Sequence, residues 1–320
     1  MRNRDKEPCV KSRRWPQLAL AAVLAVAGAG CGQGGDGGQG LSGTIQIDGS
    51  STVQPYAQAA AELFQEENPD VRVTVGGAGT GDGFERFCRG ETEISDASRE
   101  IEPEEQEACT KGGVETEGVQ VANDGIAVVT NKDLTVDCMT TDQLKELFGP
   151  DARARTLREV DPRFSDTPAQ FFTPGEESGT FDFFTEEING EEGAQRQEGV
   201  QTSADDNQLV TGVAGTPGAI GYFGYEFFAQ NEGRLNLVAV DGDDGCVRPS
   251  PETIQNGTYQ PLSRPLYMYP SKHALRRPEV AEFMRFSVEN APEIAEAAKI
   301  VPMTADQVSK AERSLSGLRG

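Results

Sequence analysis

The sequence predicts an α/β protein with parallel strand pairing, and three observations carry that expectation. Alternating apolar runs are followed by glycine- or serine-rich turns and then by helix-spaced apolar residues, the strand–turn–helix repeat of a parallel sheet. Val71, Val73 and Val75 alternate cleanly between two such helical stretches. Two buried-looking strands, "GIAVVTNKD" at Gly125–Asp133 and "SRPLYMYP" at Ser263–Pro270, bracket a middle segment, as in a chain that leaves one domain and returns to it.

From the N-terminus, Lys11, Arg13 and Arg14 precede the apolar run "WPQLALAAVLAVAGAG" and Cys31. The run is too short to be read first as a membrane span, and small residues lead into the cysteine, so residues 1–30 are expected to be a secretory signal. The segment resembles a bacterial lipoprotein signal, which makes Cys31 the expected lipidation site. "GQGGDGGQGLSG" follows, with seven glycines in twelve residues, and residues 31–43 read as a flexible tether.

Ile45 and Ile47 alternate in the first strand, and "STVQPYAQAAAELFQEENP" places Tyr56, Ala59, Ala60, Leu63 and Phe64 at helical spacing before an Asn-Pro stop. After the valine strand, "GGAGTGDG" is a turn ahead of a helix over Phe84–Gly90. "TTDQLKELF" is a helix whose Thr140 and Gln143 are spaced as a capping box. "ESGTFDFFTEEI" puts Phe181, Phe184 and Ile188 on one helical face, and "GAIGYFGYEFF" is strand-like. Helices around Glu279–Asn290 and Ala305–Leu315 close the chain.

The formal net charge is −23. The first 30 residues hold six Lys and Arg against two Asp and Glu, so the remainder has 23 basic and 50 acidic groups, a balance of −27. Attraction to nucleic acid or to an anionic membrane by bulk charge is thereby disfavoured, and no nucleic-acid partner is expected. Of six cysteines, Cys9 lies in the signal and Cys31 at its end, leaving Cys88, Cys109, Cys138 and Cys246. An even remainder in an exported chain implies disulfides, with three pairings open to sequence alone. There is no CxxC pair, and the single histidine, His273, reads as a surface residue, so no metal site or cofactor is expected.

Four turns are rich in hydroxyls and glycine: "DGSST", "GAGTGDG", "SDASR" and "ESGT". Three precede helices, where unpaired N–H groups point outward and the helix dipole is positive. Any one of them suits a simple N-cap. Together they offer donors from several directions, as a tetrahedral oxyanion requires, and Arg99 adds a planar fork. Catalysis fares poorly by comparison: there is no GxGxxG, no GxxxxGK[ST], and Ser178 lies outside GxSxG, so no enzyme is expected.

With "IDGSSTVQP", "ISDASREI", "PGEESGTFDFFTEEI" and "GAIGYFGYEFF" in that order, the chain resembles the phosphate-binding proteins of bacterial ABC importers, the PstS family. The resemblance implies a two-lobed periplasmic-binding-protein type II fold with mixed sheets and a two-segment hinge near Asp124–Lys132 and Ser263–Pro270. Residues 44–126 with 263–320 would form lobe 1, and residues 127–262 lobe 2. It implies a monomer that binds inorganic phosphate through Ser51, Thr52, Thr80, Ser98, Arg99, Ser178, Gly179 and Thr180, then hands it to a permease and its ATPase. Location would be the outer face of the cell membrane, by lipid anchor, or the periplasm. Pro174 stands where many members have an arginine, four residues before the serine of Ser-Gly-Thr, which makes Arg99 the expected main cation. Asp96, Asp82 and Asp206 are equal candidates to accept the phosphate proton. Sulfate or molybdate as ligand, or a surface phosphate sensor without a transporter, are the alternatives. On this division, Cys88–Cys109 and Cys138–Cys246 would each keep a crosslink within one lobe.

Overall fold

The structure is a computed structural model that describes residues 40–319 apart from residue 244. The expected signal and Cys31 lie outside the described residues. In chain order β1 (Gly43–Gly49), α1 (Gln54–Glu67), β2 (Val71–Val75), α2 (Thr80–Cys88), β3 (Ile94–Ala97) and α3 (Pro103–Gly112) come first. The long β4 (Val119–Asn131) leads to β5 (Cys138–Thr140), α4 (Thr141–Phe148), β6 (Gln170–Thr173), α5 (Gly179–Phe184), β7 (Val200–Thr202) and α6 (Asp206–Gly215). Next are β8 (Ala219–Gly224), α7 (Tyr225–Ala229), β9 (Leu235–Leu237), β10 (Ala239–Asp241), β11 (Cys246–Val247) and α8 (Pro251–Gln255). β12 (Ser263–Pro270), α9 (Pro278–Glu289), α10 (Ala291–Ala298) and α11 (Ala305–Arg319) complete the chain.

The main sheet runs β2-β1-β3-β12-β4-β8-β6-β7, with β9 also paired to β4. β1 is parallel to β2 and β3, and β6 is parallel to β7 and β8. β12 is antiparallel to β3 and β4, and β4 is antiparallel to β8, so the sheet is mixed. β4 pairs with β12 through Gly125 and with β8 from Ile126 onward. Apolar burial divides at the same place. One core gathers Ile45, Tyr56, Phe64, Val121, Leu266 and Phe283; the other gathers Val128, Phe148, Phe171, Phe184, Tyr222 and Leu262. In the second, the Phe184 and Tyr222 rings stack with centroids 3.7 Å apart, and Phe148 meets both edge-on. Each such ring contributes ~1.5–3 kcal/mol by burial alone.

Several boundaries differ from expectation for identifiable reasons. α2 starts at Thr80, not Phe84, and takes in glycines that read as a turn. A Cβ on Gly83 would run into the Cα of Gly49, so the glycine lets the helix lie directly against β1. β4 starts at Val119, six residues before the expected strand, and its early polar residues meet partners from elsewhere in the fold. Asn123 donates to Pro302 O (3.1 Å) and Gln307 Oε1 (3.2 Å), and Asp124 faces Arg264. "GAIGYFGYEFF" is strand only to Gly224 and helix from Tyr225. α10 lies beyond the expected helices, with its proline in the first turn, where a missing N–H is harmless.

The capping box at α4 is formed in both directions, Gln143 N donating to Thr140 Oγ1 (3.1 Å) and Thr140 N to Gln143 Oε1 (3.0 Å). Disulfides join Cys88 to Cys109 and Cys138 to Cys246, as the one-lobe pairing anticipates. The first ties the end of α2 to α3 inside a small cluster with Phe84, Phe87 and Tyr269. Crosslinks of this kind typically contribute ~2–4 kcal/mol. His273 is exposed. None of the described helices is long and apolar enough to cross a membrane.

Candidate functional site

β1, β2 and β3 are parallel, so their carboxyl ends open on one edge of the sheet, the usual place for a ligand in such a fold. Three of the hydroxyl turns stand there. Ser50–Thr52 follow β1, Thr80 opens α2 after β2, and Ser98 follows β3. They wall a cavity of about 660 Å³ together with Arg99, the start of β12 and the Asp182–Phe183 face of α5.

The turn after β1 is locked from below. Ser50 N donates to Asp96 O (2.9 Å), and Thr52 N donates to Ser50 Oγ (3.2 Å). On the neighbouring wall, Thr80 Oγ1 and Ser98 Oγ lie 3.2 Å apart, and Ser98 N donates to Thr80 Oγ1 (3.3 Å). The Ser-Gly-Thr segment reaches the cavity from the second core. Ser178 is the N-cap of α5, its Oγ accepting from Thr180 N at 3.2 Å. Gly179 is the point of contact: its carbonyl accepts from Thr52 Oγ1 (3.1 Å), while Ser51 Oγ donates to Asp182 Oδ2 (3.2 Å). A Cβ at position 179 would stand 2.5 Å from Thr52 N and 2.8 Å from Ser51 Oγ, so a glycine is required for this approach.

Two arginines border the cavity, in different states. Both Nη atoms of Arg99 donate to the Glu105 carboxylate at 2.8 Å, and Glu105 is further fixed by Glu102 N in the capping box of α3. Arg264, on β12, donates from Nη2 to Thr52 Oγ1 (2.7 Å) and Gly179 O (3.4 Å), and its guanidinium lies 3.6 Å from the Phe183 ring centroid. Its side chain is only 13% exposed. Burial lowers the Arg264 pKa, while Asp124 and Glu186 oppose the drop; arginine remains a cation throughout the working range.

Acids surround these donors. Burial raises the pKa of Asp124, with Arg264 pulling it back. Asp182 is raised by burial and by Glu192, against the Ser51 hydroxyl and Arg264. Glu187 is raised by burial and Glu186. Burial, Asp205 and Asp124 push Asp206 up to about 7. Asp96, fully buried, is raised well above the ordinary carboxylate value by desolvation and by Asp48, and neither of its oxygens has a hydrogen-bond partner. Asp82 is exposed.

Of the residues expected from the sequence, Ser51, Thr52, Thr80, Ser98 and Arg99 line the cavity. Gly179 touches it through Thr52, whereas the Ser178 hydroxyl is turned to its own helix. Sequence reasoning missed Arg264 and Asp182. A lone arginine in the apolar strand "SRPLYMYP" was the available signal, since a cation there needs buried partners. Among the described residues no cluster of three metal-ligating side chains occurs.

Residues 34–291 match the family model described as the PBP superfamily domain. The chain is 42% identical over 264 residues to protein SphX of Synechococcus elongatus, covering 82% of this chain and 78% of that protein. It is 36% identical over 305 residues to the phosphate-binding protein PstS of Staphylococcus saprophyticus, covering 94% and 93%. Among solved structures, a possible phosphate-binding protein from Planctomyces limnophilus superposes with a TM-score of 0.82 at 38% identity, covering 88% of this chain and 100% of that one. A putative phosphate ABC transporter substrate-binding protein from Clostridium perfringens, with bound phosphate, gives 0.58 at 27% identity, covering 82% and 100%. The fold, the order of its turns and these similarities agree: the chain belongs to the PstS family of phosphate-binding proteins within the PBP superfamily.

Proposed function

We propose that the protein is an exported, lipid-anchored receptor that binds inorganic phosphate in this cavity and delivers it to the permease and ATPase of an ABC importer. The observation that carries the reading is the convergence of hydroxyl turns from three parallel strand ends on one cavity, where Gly179 of Ser-Gly-Thr accepts from Thr52 at the wall. Neutral donors and cations at short range hold a tetrahedral oxyanion without a basic surface, which suits a chain of this acidity. Residues 44–126 with 263–320 and residues 127–262 act as two lobes, and β4 and β12, which run between the two cores, are the hinge. The ligand set comprises Ser51, Thr52, Thr80, Ser98 and Arg99, with Ser178, Gly179 and Thr180 closing from the other lobe.

Asp96 is the acceptor of the phosphate proton. It lies on β3, its main-chain carbonyl accepting from Ser50 N, and its buried, unpartnered carboxyl is a group in want of a hydrogen bond. Asp82 is exposed, and Asp206 sits on α6 near the charges of Asp205 and Asp124.

Calorimetric titration tests the ligand. Phosphate is expected to saturate one site, with sulfate weaker by at least about a hundredfold, since a site built for a hydrogen bond rejects an analogue lacking it strongly. Sulfate binding as tightly as phosphate would overturn the assignment. Anchoring is read separately: wild-type protein should sediment with membranes, and Cys31→Ala should be released or left uncleaved. An unmodified, soluble mature N-terminus elsewhere in the chain would refute the lipid.

A further inference from the structure

Arg264 and Asp124 are direct partners across the antiparallel β12–β4 pair, on the two strands that run between the cores. Arg264 Nε lies 3.5 Å from Asp124 Oδ2, an ion pair without a hydrogen bond, for both atoms are buried and unpartnered. Another arginine of this molecule shows what a purely structural role looks like. Arg196 lies over Phe171, 4.1 Å from the ring centroid, and donates to the carbonyls of Leu147, Ala154 and Glu198. Arg264 is stacked in the same manner on Phe183, yet its Nε is left over and its side chain forms part of the cavity wall. A buried donor on a cation is costly to leave unmade. Around it stand Asp124, Asp182, Glu186 and Glu187, whose charges act on it through space.

Charge elsewhere at the site is committed. Pro174 supplies none ahead of Ser-Gly-Thr, and the Arg99 fork is taken by Glu105. We propose that Arg264 is the principal cation for the bound oxyanion and that, standing on a hinge strand, it couples occupancy to closure. This rests on the phosphate-binding reading above. In the structure Arg264 is shared among Asp124, Thr52 and Gly179. A bound anion takes its spare N–H groups, while the bonds to Thr52 and Gly179 hold the two walls together around it. Aromatic stacking on Phe183 keeps the planar fork aimed, a service an ammonium does not provide.

The test is calorimetric titration with phosphate of wild type, Arg264→Ala, Arg264→Lys and Arg99→Ala, with small-angle scattering of each, empty and at saturating phosphate. Arg264→Ala should bind at least about a hundredfold more weakly, and Arg264→Lys should recover only part, because charge returns without the fork. Arg99→Ala should lose about tenfold or less. Wild type should contract on binding, and Arg264→Lys, saturated, should contract less. A folded Arg264→Ala within threefold of wild type overturns the inference, as does a larger loss from Arg99→Ala. Should Arg264→Ala fail to fold, Arg264→Lys decides, and wild-type affinity and contraction in that variant overturn it. Wild type that binds neither phosphate nor sulfate brings down the functional reading and this inference with it; wild type that binds while the Arg264 variants match it brings down the inference alone.

Discussion

Gly179→Ala should weaken phosphate by about a hundredfold while leaving the empty protein as stable as wild type. Gly179 has no left-handed backbone angle, so alanine is allowed by conformation and, within a helix, is ordinarily favourable by ~0.5–1 kcal/mol. The penalty arises only across the cavity. An added Cβ would stand 2.5 Å from Thr52 N, a backbone atom already held by Ser50 Oγ, and 2.8 Å from Ser51 Oγ. Overpacking of this kind costs ~1–3 kcal/mol, and the empty protein escapes it by opening. Bound protein has no such escape, so the cost falls on affinity, at ~1.4 kcal/mol per tenfold. At phosphate a thousand times the wild-type Kd, ligand stabilises by ~4.1 kcal/mol; a hundredfold loss reduces this to about 1.4 kcal/mol. Thermal melts with and without phosphate measure both quantities. A variant that keeps the full ligand-induced rise would show that the Thr52–Gly179 contact is not part of the bound state.

The contrast between Gly179 and Arg264 marks what the sequence made legible. The Ser-Gly-Thr motif carries its local meaning in three residues: a cap at Ser178, a close approach at Gly179 and a helix behind. The hydroxyl turns were readable for the same reason, since each is fixed by the strand before it and the helix after it. Arg264 is read only through partners 212 and 85 residues away, Thr52 and Gly179, and no local pattern encodes them. Arg99 is the converse case. Its neighbourhood in "SDASR" suggests a site cation, but Glu105 lies one helical turn beyond Glu102, and the capping box of α3 holds that carboxylate where it takes up the fork. Charged residues at the ends of strands therefore advertise function, whereas their pairing is a tertiary matter. The same holds for β4, whose first six residues, Asn123 and Asp124 among them, lie outside the expected strand. Their partners, Pro302, Gln307 and Arg264, come from the far end of the chain.

Asp96→Asn should separate recognition from stability, with opposite signs in the two measurements. The Asp96 carboxyl is fully buried without a partner, and desolvation with Asp48 nearby raises its pKa well above the ordinary value near 3.9. A group whose folded pKa is raised binds its proton more tightly in the folded state, so folding loses stability as pH climbs above the unfolded value. Asn cannot ionise, so the empty variant should match wild type near pH 4 and exceed it increasingly toward pH 8. Phosphate binding should move the other way. The carboxylate accepts a hydrogen bond from the hydroxyl that monohydrogen phosphate carries and sulfate lacks; an amide turned to donate serves both anions alike. Losing a charge-assisted bond and stranding the phosphate hydroxyl costs ~2–5 kcal/mol, so phosphate should weaken by at least about thirtyfold and sulfate should weaken less or gain. The preference for phosphate over sulfate should accordingly collapse in Asp96→Asn, and it should narrow in wild type as pH falls and Asp96 keeps its own proton. Titrations of both anions at two pH values, with melts of the empty protein at the same pH, decide the matter. An undiminished preference in the variant would remove Asp96 from recognition, and a stability gain independent of pH would show that its carboxyl is not the group that titrates.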